Sequence, residues 1–168
     1  DLIAQTILDK MEILVIDSGS EQNERAIVEK YQRMHSNIRY IRTEREPLYV
    51  AWNRAVKLAR GKFVVNANTD DSRRPDAFQI LLEAMKAHSD ADLAYSHYGM
   101  TSEPNDVFPP KTVFRKVEHD PYHPAQLLFY CITGCLQFWR KTALEKLGGF
   151  DESLKCVGDY EILIRFMR

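Results

Sequence analysis

Apolar residues along the first hundred positions switch repeatedly between strand-like runs and helix-like spacing. Short apolar runs predict strands at 12–17, 38–41, 62–67 and 93–97. Apolar residues three or four apart predict helices near 27–34, 51–59 and 75–85, and the end of a helix near 2–7. Strands separated by helices predict an α/β fold with a mostly parallel sheet flanked by helices. We expect these strands to lie in one sheet.

The second half of the chain is less regular. Residues 99–124 are rich in Pro, Asp, Thr and Ser, which predicts a long functional loop or a short strand near 113–117. An apolar segment at 127–132, a strand at 135–139, a helix at 142–147 and a C-terminal helix are predicted to follow. We therefore predict a single domain over 1–168, in which 1–98 form a nucleotide-binding half and 99–168 form a second, acceptor-side half.

Composition narrows the class of protein. The chain has 168 residues, of which 45% are apolar and 28% charged, as in ordinary globular domains. A net charge of −1 gives no basic face for nucleic acid. Three cysteines without a signal peptide favour a reducing, cytoplasmic location over a disulfide framework, and Cys131 and Cys135 lack a second pair to complete a zinc site. No apolar run reaches membrane-spanning length.

The most informative polar cluster is Asn68-Thr69-Asp70-Asp71, directly after the apolar run 62–67. Carboxylates at the end of a buried strand repel one another unless a cation compensates them. Oxygen ligands of this kind suit Mg²⁺ or Mn²⁺, which also hold substrate phosphates. The alternative interpretation is a solvated turn that caps the next helix.

A second cluster, Asp17-Ser18-Gly19-Ser20, also ends a predicted strand. An ionised Asp17 only accepts hydrogen bonds, so it suits an N–H of a base or the hydroxyl pair of a ribose. The alternative is an Asp/Ser turn that caps a helix starting near Glu21.

A third candidate is Asp159, which precedes an apolar helix. It is either the N-cap of that helix or a general base held at the helix start, where its anionic form is stabilised. Gly158 is expected to leave room beside it for an incoming acceptor. Upstream, Gly148-Gly149 is interpreted as a helix stop and Phe150 as a core residue.

Together these clusters resemble one family, the family-two inverting glycosyltransferases of the GT-A fold, especially bacterial members that build cell-surface polysaccharides. The resemblance covers nearly the whole chain. It rests on the order and spacing of short motifs, which are Asp17-Ser18-Gly19-Ser20, Tyr49-x-Ala51-Trp52-Asn53-x-Ala55, Ala59-x-Gly61-Lys62-Phe63, Asn68-Thr69-Asp70-Asp71, Phe138-Trp139-Arg140, Gly148-Gly149-Phe150-Asp151-Glu152 and Asp159-Tyr160-Glu161 with Arg165.

The resemblance implies a role for each matching residue. Asp17 matches the acid that contacts the nucleotide base. Asn68 and Asp70 match the ends of the DxD motif, with Asp70 nearest the metal and Asp71 a frequent following acid. Asp159 matches the catalytic base. The remaining residues that the resemblance places on the nucleotide are Ser18 and Asn53. Separately, His119 or His123 could approach the metal, with His123 the candidate ligand, but loop histidines are more often surface residues.

The implied reaction moves a sugar from a nucleotide-diphospho-sugar of the UDP, GDP or dTDP type to a saccharide or lipid-linked acceptor hydroxyl, with inversion and with Mn²⁺ or Mg²⁺. The implied setting is polysaccharide or glycolipid biosynthesis, with peripheral association at the inner face of the membrane.

Several positions depart from the family pattern. Asn68 replaces the first acid of DxD, Gly158 stands where a Glu often precedes the base, and Gln22 stands where an Asp usually closes the first motif. The family also opens with a strand that this chain lacks, so we expect a chain truncated at one or both ends.

Two rival functions remain. One is a catalytically silent nucleotide-sugar-binding domain. The other is a nucleotidyltransferase, although no Gly-rich basic phosphate loop is present near the start. A dehydrogenase is disfavoured because there is no Gly-x-Gly-x-x-Gly.

Overall fold

The computed structural model describes residues 1–103, 106–119 and 121–167. The strands are β1 Ile13–Ser18, β2 Ile38–Thr43, β3 Phe63–Val65, β4 Leu93–Tyr95, β5 Tyr98–Met100, β6 Arg115–Val117 and β7 Gln137–Arg140. The α-helices are α1 Glu24–Gln32, α2 Leu48–Leu58, α3 Ala77–Ala87, α4 Lys141–Lys146 and α5 Gly158–Phe166. Short 3₁₀ turns occur at Leu2–Ala4, Leu8–Lys10 and Pro124–Leu128.

The spacing of apolar residues near 2–7 predicts the end of an α-helix. The structure instead has two 3₁₀ turns in this segment. Between them the buried side chain of Gln5 donates to the carbonyl of Arg74 and accepts from the amide of Phe78. These contacts tie the segment to the start of α3, so its apolar residues reach the core without a continuous helix.

Strands β1 and β2 form a parallel pair, with Ile13 opposite Ile38 and Asp17 opposite Arg42. Helix α1 connects them, as the alternation of strand and helix predicts. The carboxyl ends of both strands therefore lie at the same edge, which is where an open α/β sheet binds ligands.

The prediction that all four early strands share one sheet is wrong for the described residues. There the ladders form three groups: β1-β2, β3-β7-β4 and β5-β6. Strand β7 pairs with β3 and with β4, antiparallel to both. Hydrophobic periodicity specifies that a strand is buried but not which neighbour it pairs with, and β7 comes from much later in the chain.

Strand β7 joins the two halves of the core. Its successive side chains point to opposite faces of the sheet. Phe138 packs in a cluster with Phe78, and Trp139 packs in the other with Tyr49. The remaining buried members of the two clusters are Leu127, Ile132, Leu144, Phe150, Ile162 and Leu163 on the Trp139 side, and Ile7, Leu81, Met85 and Leu136 on the Phe138 side.

The segment 99–124 contains the expected short strand, β6, which pairs antiparallel with β5. Positions 104, 105 and 120 of this segment lie outside the described residues. The apolar run 127–132 is partly a 3₁₀ turn, and the predicted strand 135–139 begins two residues later as β7.

Helix α4 ends as the sequence predicts. Gly148 and Gly149 both adopt positive φ, 79° and 78°, which terminates the helix and turns the chain toward Phe150. Among the described residues no helix is both long and apolar enough to cross a membrane.

Candidate functional site

Asp17 lies next to the end of β1, and its carboxylate is fully engaged by the protein. Its side chain is only 2% exposed. The amide of Ser20 donates to Oδ1 over 2.7 Å, Nη1 of Arg42 donates to Oδ2 over 2.7 Å, and the hydroxyl of Tyr40 donates to the same oxygen. The arrangement links β1, β2 and the turn that follows β1.

These contacts stabilise the anion. The hydrogen bonds from Tyr40 and Ser20 lower the pKa of Asp17, burial opposes them, and Arg42 lowers it further. The hydrogen bond that the Tyr40 hydroxyl donates to Asp17 also raises the pKa of Tyr40. Asp17 therefore presents a fixed negative charge at the carboxyl edge of β1.

Asp17 does not cap the next helix. Helix α1 begins only at Glu24, with Asn23 at its N-cap position, whereas Asp17 accepts from Ser20 in a local turn. The capping interpretation is therefore wrong. Ser18, the last residue of β1, follows Asp17 at the same strand end.

The polar stretch after β3 forms its own hydrogen-bonded network. The side-chain Nδ2 of Asn66 donates to Oδ1 of Asn68, and Nδ2 of Asn68 donates to Asp71 Oδ2 over 3.0 Å. Asp70 is exposed, and its carboxylate makes no hydrogen bond to the described parts of the chain. Helix α3 starts later, at Ala77, so this stretch does not cap it.

A buried arginine that sequence reasoning missed supports this stretch. The side chain of Arg73 is 5% exposed and donates to the backbone carbonyls of Asp71, over 3.0 Å, and Asn68, over 3.4 Å. Its Nη2 also lies 3.9 Å from Asp71 Oδ2. Burial lowers the pKa of Arg73, and the charge of Asp71 opposes that shift. In the run Asp71-Ser72-Arg73-Arg74-Pro75, nothing distinguishes Arg73 from a surface residue.

Cys135 belongs to the same cluster, although its sequence position gives no sign of it. Burial, followed by the nearby charge of Asp71, raises the pKa of its thiol. Asp71 thus has Asn68, Arg73 and Cys135 around it, which leaves Asp70 as the carboxylate that faces solvent.

The residues after β3 fit a divalent cation in their chemistry. Asn68, Asp70 and Asp71 provide hard oxygen atoms, the type that Mg²⁺ and Mn²⁺ prefer. No group of three or more His, Cys, Asp or Glu side chains suited to a metal occurs in the described ranges. A cation here would therefore need further oxygen ligands, such as those of a diphosphate or water.

His123 is a surface residue of the loop, as loop histidines usually are, and its ring nitrogen caps a turn. It is exposed, and its Nδ1 accepts from the amide of Ala125 over 3.2 Å at the start of the Pro124–Leu128 turn. Gln126 returns the contact by accepting from the His123 amide. The structure places this ring nitrogen in a cap.

Asn53 also has a specific place in the protein. Its Nδ2 donates to the carbonyl of Phe150 and to Glu152 Oε1, over 2.8 and 3.0 Å, and its Oδ1 accepts from the Phe150 amide over 2.8 Å. Both ends of this amide are thus occupied by the turn after α4. The described contacts of Asn53 are with that turn and not with Asp17.

Asp159 is the second residue of α5, half-buried, and not its N-cap. The N-cap position is held by Val157, which has a φ of 56°. A negative charge in the first turn interacts favourably with the helix dipole. The capping interpretation is therefore wrong in its position, whereas the placement of an acid at a helix start is confirmed.

Gly158 does not leave space for an acceptor. A Cβ added there would lie 2.6 Å from the ring of Tyr49, so the tyrosine fills the space. The Tyr49 hydroxyl accepts from the Gly158 amide over 2.7 Å. That sequence expectation is wrong because the neighbouring helix α2 supplies the missing volume.

A cavity of about 550 Å³ lies between the β5–β6 hairpin and residues 126–132. Its polar lining includes Arg115, Glu118 and His119, together with the rings of Tyr98 and Tyr130. Burial and the neighbouring His97 lower the pKa of His119. Tyr160 of α5 donates to the carbonyl of Leu127, which connects the Asp159 helix to one wall of this region.

Comparison with known families gives the decisive observation: the profile described as "Glycosyl transferase family 2" matches residues 1–148. The chain belongs to glycosyl transferase family 2. The resemblance inferred from the motifs is thereby confirmed, and the matched residues include Asp17, Asn53 and the whole stretch Asn68–Asp71.

Two proteins of similar sequence are named as a glycosyltransferase and a chondroitin synthase. The chain is 27% identical over 172 residues to the uncharacterized glycosyltransferase MJ1057 of Methanocaldococcus jannaschii. The aligned region covers 96% of this chain and 55% of MJ1057. It is 25% identical over 161 residues to a chondroitin synthase of Escherichia coli, covering 96% of this chain and 23% of the synthase. The family 2 chain thus spans about half, or less, of the length of these relatives.

Solved structures confirm the fold. The structure of TarS residues 1–349 from S. aureus matches with a TM-score of 0.75 and 21% identity, covering 99% of this chain and 49% of TarS. The mannosyltransferase PcManGT of Pyrobaculum calidifontis, in complex with GDP-Man and Mn²⁺, matches with a TM-score of 0.64 and 18% identity over 95% of this chain and 45% of its own. The fold of this family 2 chain is GT-A.

Proposed function

We propose that this chain transfers a sugar from a nucleotide-diphospho-sugar to an acceptor hydroxyl with inversion, in polysaccharide or glycolipid biosynthesis. The observation that carries the proposal is the family 2 match over residues 1–148. The oxygen-rich strand ends and the acid at the start of α5 support the same chemistry from the residues themselves.

At the donor end we assign the nucleotide to the edge that holds Asp17 and the diphosphate to the stretch after β3. Asp17, with Ser18 beside it, would contact the base or ribose. Because its carboxylate already accepts from Ser20, Tyr40 and Arg42, one of these donors would give way to the nucleotide. Asp70 would hold Mn²⁺ or Mg²⁺, with Asn68 and Asp71 as further oxygen donors. When bound, such a cation neutralises the charge that grows on the departing diphosphate. PcManGT, which shares the fold, is seen with GDP-Man and Mn²⁺.

The role of Asn53 follows from its contacts. Since both ends of its amide bind the turn at Phe150, we assign it to holding that turn beside the site and not to direct nucleotide binding. His123, whose Nδ1 accepts a backbone amide, is likewise assigned to the cap of the Pro124–Leu128 turn.

At the acceptor end we assign the general base to Asp159. Its carboxylate takes the proton of the acceptor hydroxyl as the oxygen attacks the anomeric carbon of the donor sugar. The bond from that carbon to the diphosphate oxygen breaks, and the nucleoside diphosphate leaves with the bonding electrons. A single displacement of this kind inverts the configuration.

For the acceptor we propose a saccharide or a lipid-linked saccharide. The cavity beside the β5–β6 hairpin offers two tyrosine rings together with charged groups, Arg115 and Glu118. Aromatic faces suit the apolar faces of sugar rings, and the charged groups suit their hydroxyls. Reaction at the cytoplasmic face of a membrane, where such acceptors are anchored, is part of the same proposal.

A ligand screen followed by turnover tests the proposal. The melting temperature is measured with UDP, GDP, CMP or dTDP, each with Mn²⁺, because a ligand that binds the folded state raises it by mass action. Sugar derivatives of the stabilising nucleotide are then tested for donor hydrolysis, with and without candidate acceptors. We expect one nucleoside diphosphate to stabilise the chain and its sugar derivative to be turned over. Stabilisation without turnover would indicate a silent binding domain, and no stabilisation by any of the four would contradict a donor site.

A further inference from the structure

Helix α2 presents two side chains of one face to the segment that leads into α5. Tyr49 and Asn53 are four residues apart, so they lie one above the other on the helix surface. Asn53 binds the start of the segment, at Phe150, and Tyr49 binds its end, at Gly158. The connection between α4 and α5 is therefore held at both ends by one helix.

Tyr49 provides a hydrogen-bond acceptor for the backbone amide of Gly158, at the start of α5. The first amides of an α-helix have no partner within the helix. The Gly158 amide instead donates to the hydroxyl of Tyr49 over 2.7 Å, in a buried setting. Asp159 is the next residue, so this hydrogen bond fixes the backbone directly before its side chain.

The tyrosine ring has little freedom to move. Tyr49 is only 2% exposed, and its ring packs against Trp52 and Phe150 with centroid distances of 5.4 and 6.0 Å. A Cβ at Gly158 would lie 2.6, 2.7 and 2.9 Å from three of its ring carbons. Only glycine allows this approach, because real Cβ contacts are not that short.

The backbone before Gly158 is strained, which indicates that the surroundings hold it in place. Val157 has a φ of 56°, a conformation that is a true outlier for a β-branched residue. Such residues persist where neighbouring contacts over-determine the conformation, and they concentrate at functional sites. The side chain of Val157 is largely exposed, so the strain is not offset by its own burial.

We infer that Tyr49 is a positioning residue for Asp159: its ring and hydroxyl lock the Gly158 backbone and so set where the Asp159 carboxylate points. This inference rests on the proposed role of Asp159 as general base.

The test replaces Tyr49 by Phe, which keeps the ring and removes only the acceptor oxygen. Two quantities are measured: amide hydrogen exchange at Gly158, and kcat and KM for hydrolysis of the donor identified by the nucleotide screen. We expect exchange at Gly158 to become about tenfold faster. We expect kcat to fall about 10- to 100-fold with KM for the donor unchanged, since small misplacement of a reacting group has effects of that size.

The matched control is Tyr31→Phe, the same change at an exposed tyrosine of α1 that has no contact with α5 among the described residues. It should leave kcat and exchange at Gly158 close to wild type. Faster exchange at Gly158 with an unchanged kcat would overturn the inference, as would equal losses of kcat in both variants. Asp159→Asn is measured in the same assay: if it retains wild-type kcat, the base assignment itself fails, and a loss confined to Tyr49→Phe then reflects some other role.

Discussion

Asp17 and Arg42 are register partners in the β1–β2 ladder, and their side chains form an ion pair in which Nη1 lies 2.7 Å from Oδ2. The hydroxyl of Tyr40 completes the contact from the same strand. The buried carboxylate of Asp17 in β1 thus accepts from two residues of β2, which joins the two strands. The same carboxylate is the candidate nucleotide contact at this edge.

The first prediction concerns the pH dependence of this contact. The pKa of Asp17 is lowered in the folded state, so its contribution to stability is present above its ordinary value of 3.8 and is lost as the pH falls through the folded-state pKa. Asp17→Asn should lower the free energy of unfolding by about 1–3 kcal/mol at pH 7. Urea unfolding should show this difference shrink as the pH drops below about 4. Glu29→Gln, which removes an exposed ion pair with Arg25, is the control and should change stability by less than about 0.5 kcal/mol. A difference that stays constant with pH would contradict the prediction.

The second prediction concerns the cation. We expect a nucleoside diphosphate to bind more tightly with Mn²⁺ than with chelator present, because a cation compensates Asp70 beside the diphosphate. Calorimetry of Asp70→Ala should show this metal dependence lost. Asp90→Ala, which removes an exposed acid from the turn after α3, should behave as wild type. Equal affinity of the wild-type chain with and without chelator would show that no such cation site exists.

The third prediction separates two roles of Asp159. As a first-turn acid alone, Asp159→Asn would weaken only the interaction with the helix dipole, by about 0.3–1 kcal/mol of stability. As the base, the same change should lower turnover about 10²–10⁴-fold with little change in donor affinity. Glu161→Gln removes the other acid of the first turn and serves as the control for helix effects. Transfer rates of Asp159→Asn within a few-fold of wild type would leave the residue a purely structural role.

The fourth prediction concerns packing at Gly158. Alanine gains up to about 1 kcal/mol over glycine in a helix. Here the added Cβ meets the fixed ring of Tyr49, and overpacking of this kind costs about 1–3 kcal/mol. Gly158→Ala should therefore destabilise the chain in urea unfolding. In a Tyr49→Leu background the same change should become neutral or stabilising, because the ring is gone. An equal cost in both backgrounds would show that the ring is not the cause.

Local properties were well predicted from the sequence. The apolar runs located β1 to β4, and the paired glycines located the end of α4, because burial and turn geometry depend on neighbouring residues. Asp17 and Asp70 were found as acids at strand ends for the same reason. Their assignment to one family needed the order of several weak motifs.

What the sequence did not predict depends on distant contacts. Nothing in the residues 135–139 indicates that β7 pairs between β3 and β4. The burial of Arg73 beneath the Asn68–Asp71 stretch, and the approach of Tyr49 to Gly158, join residues whose proximity is set only by the packing of whole elements. The expected sharing of one site edge by Asp17 and Asp70 stays a prediction.

The position of β7 has a consequence for how this protein is made. Strand β3 precedes the candidate cation-binding stretch, yet its ladder partner is synthesised much later, after the β5–β6 hairpin. Until Gln137–Arg140 leave the ribosome, β3 and β4 have no ladder between them, and Phe138 and Trp139 cannot close the two core clusters. A nascent chain that stops before β7 therefore exposes strand edges next to unburied aromatic side chains, a state that favours chaperone binding and aggregation over donor-site formation.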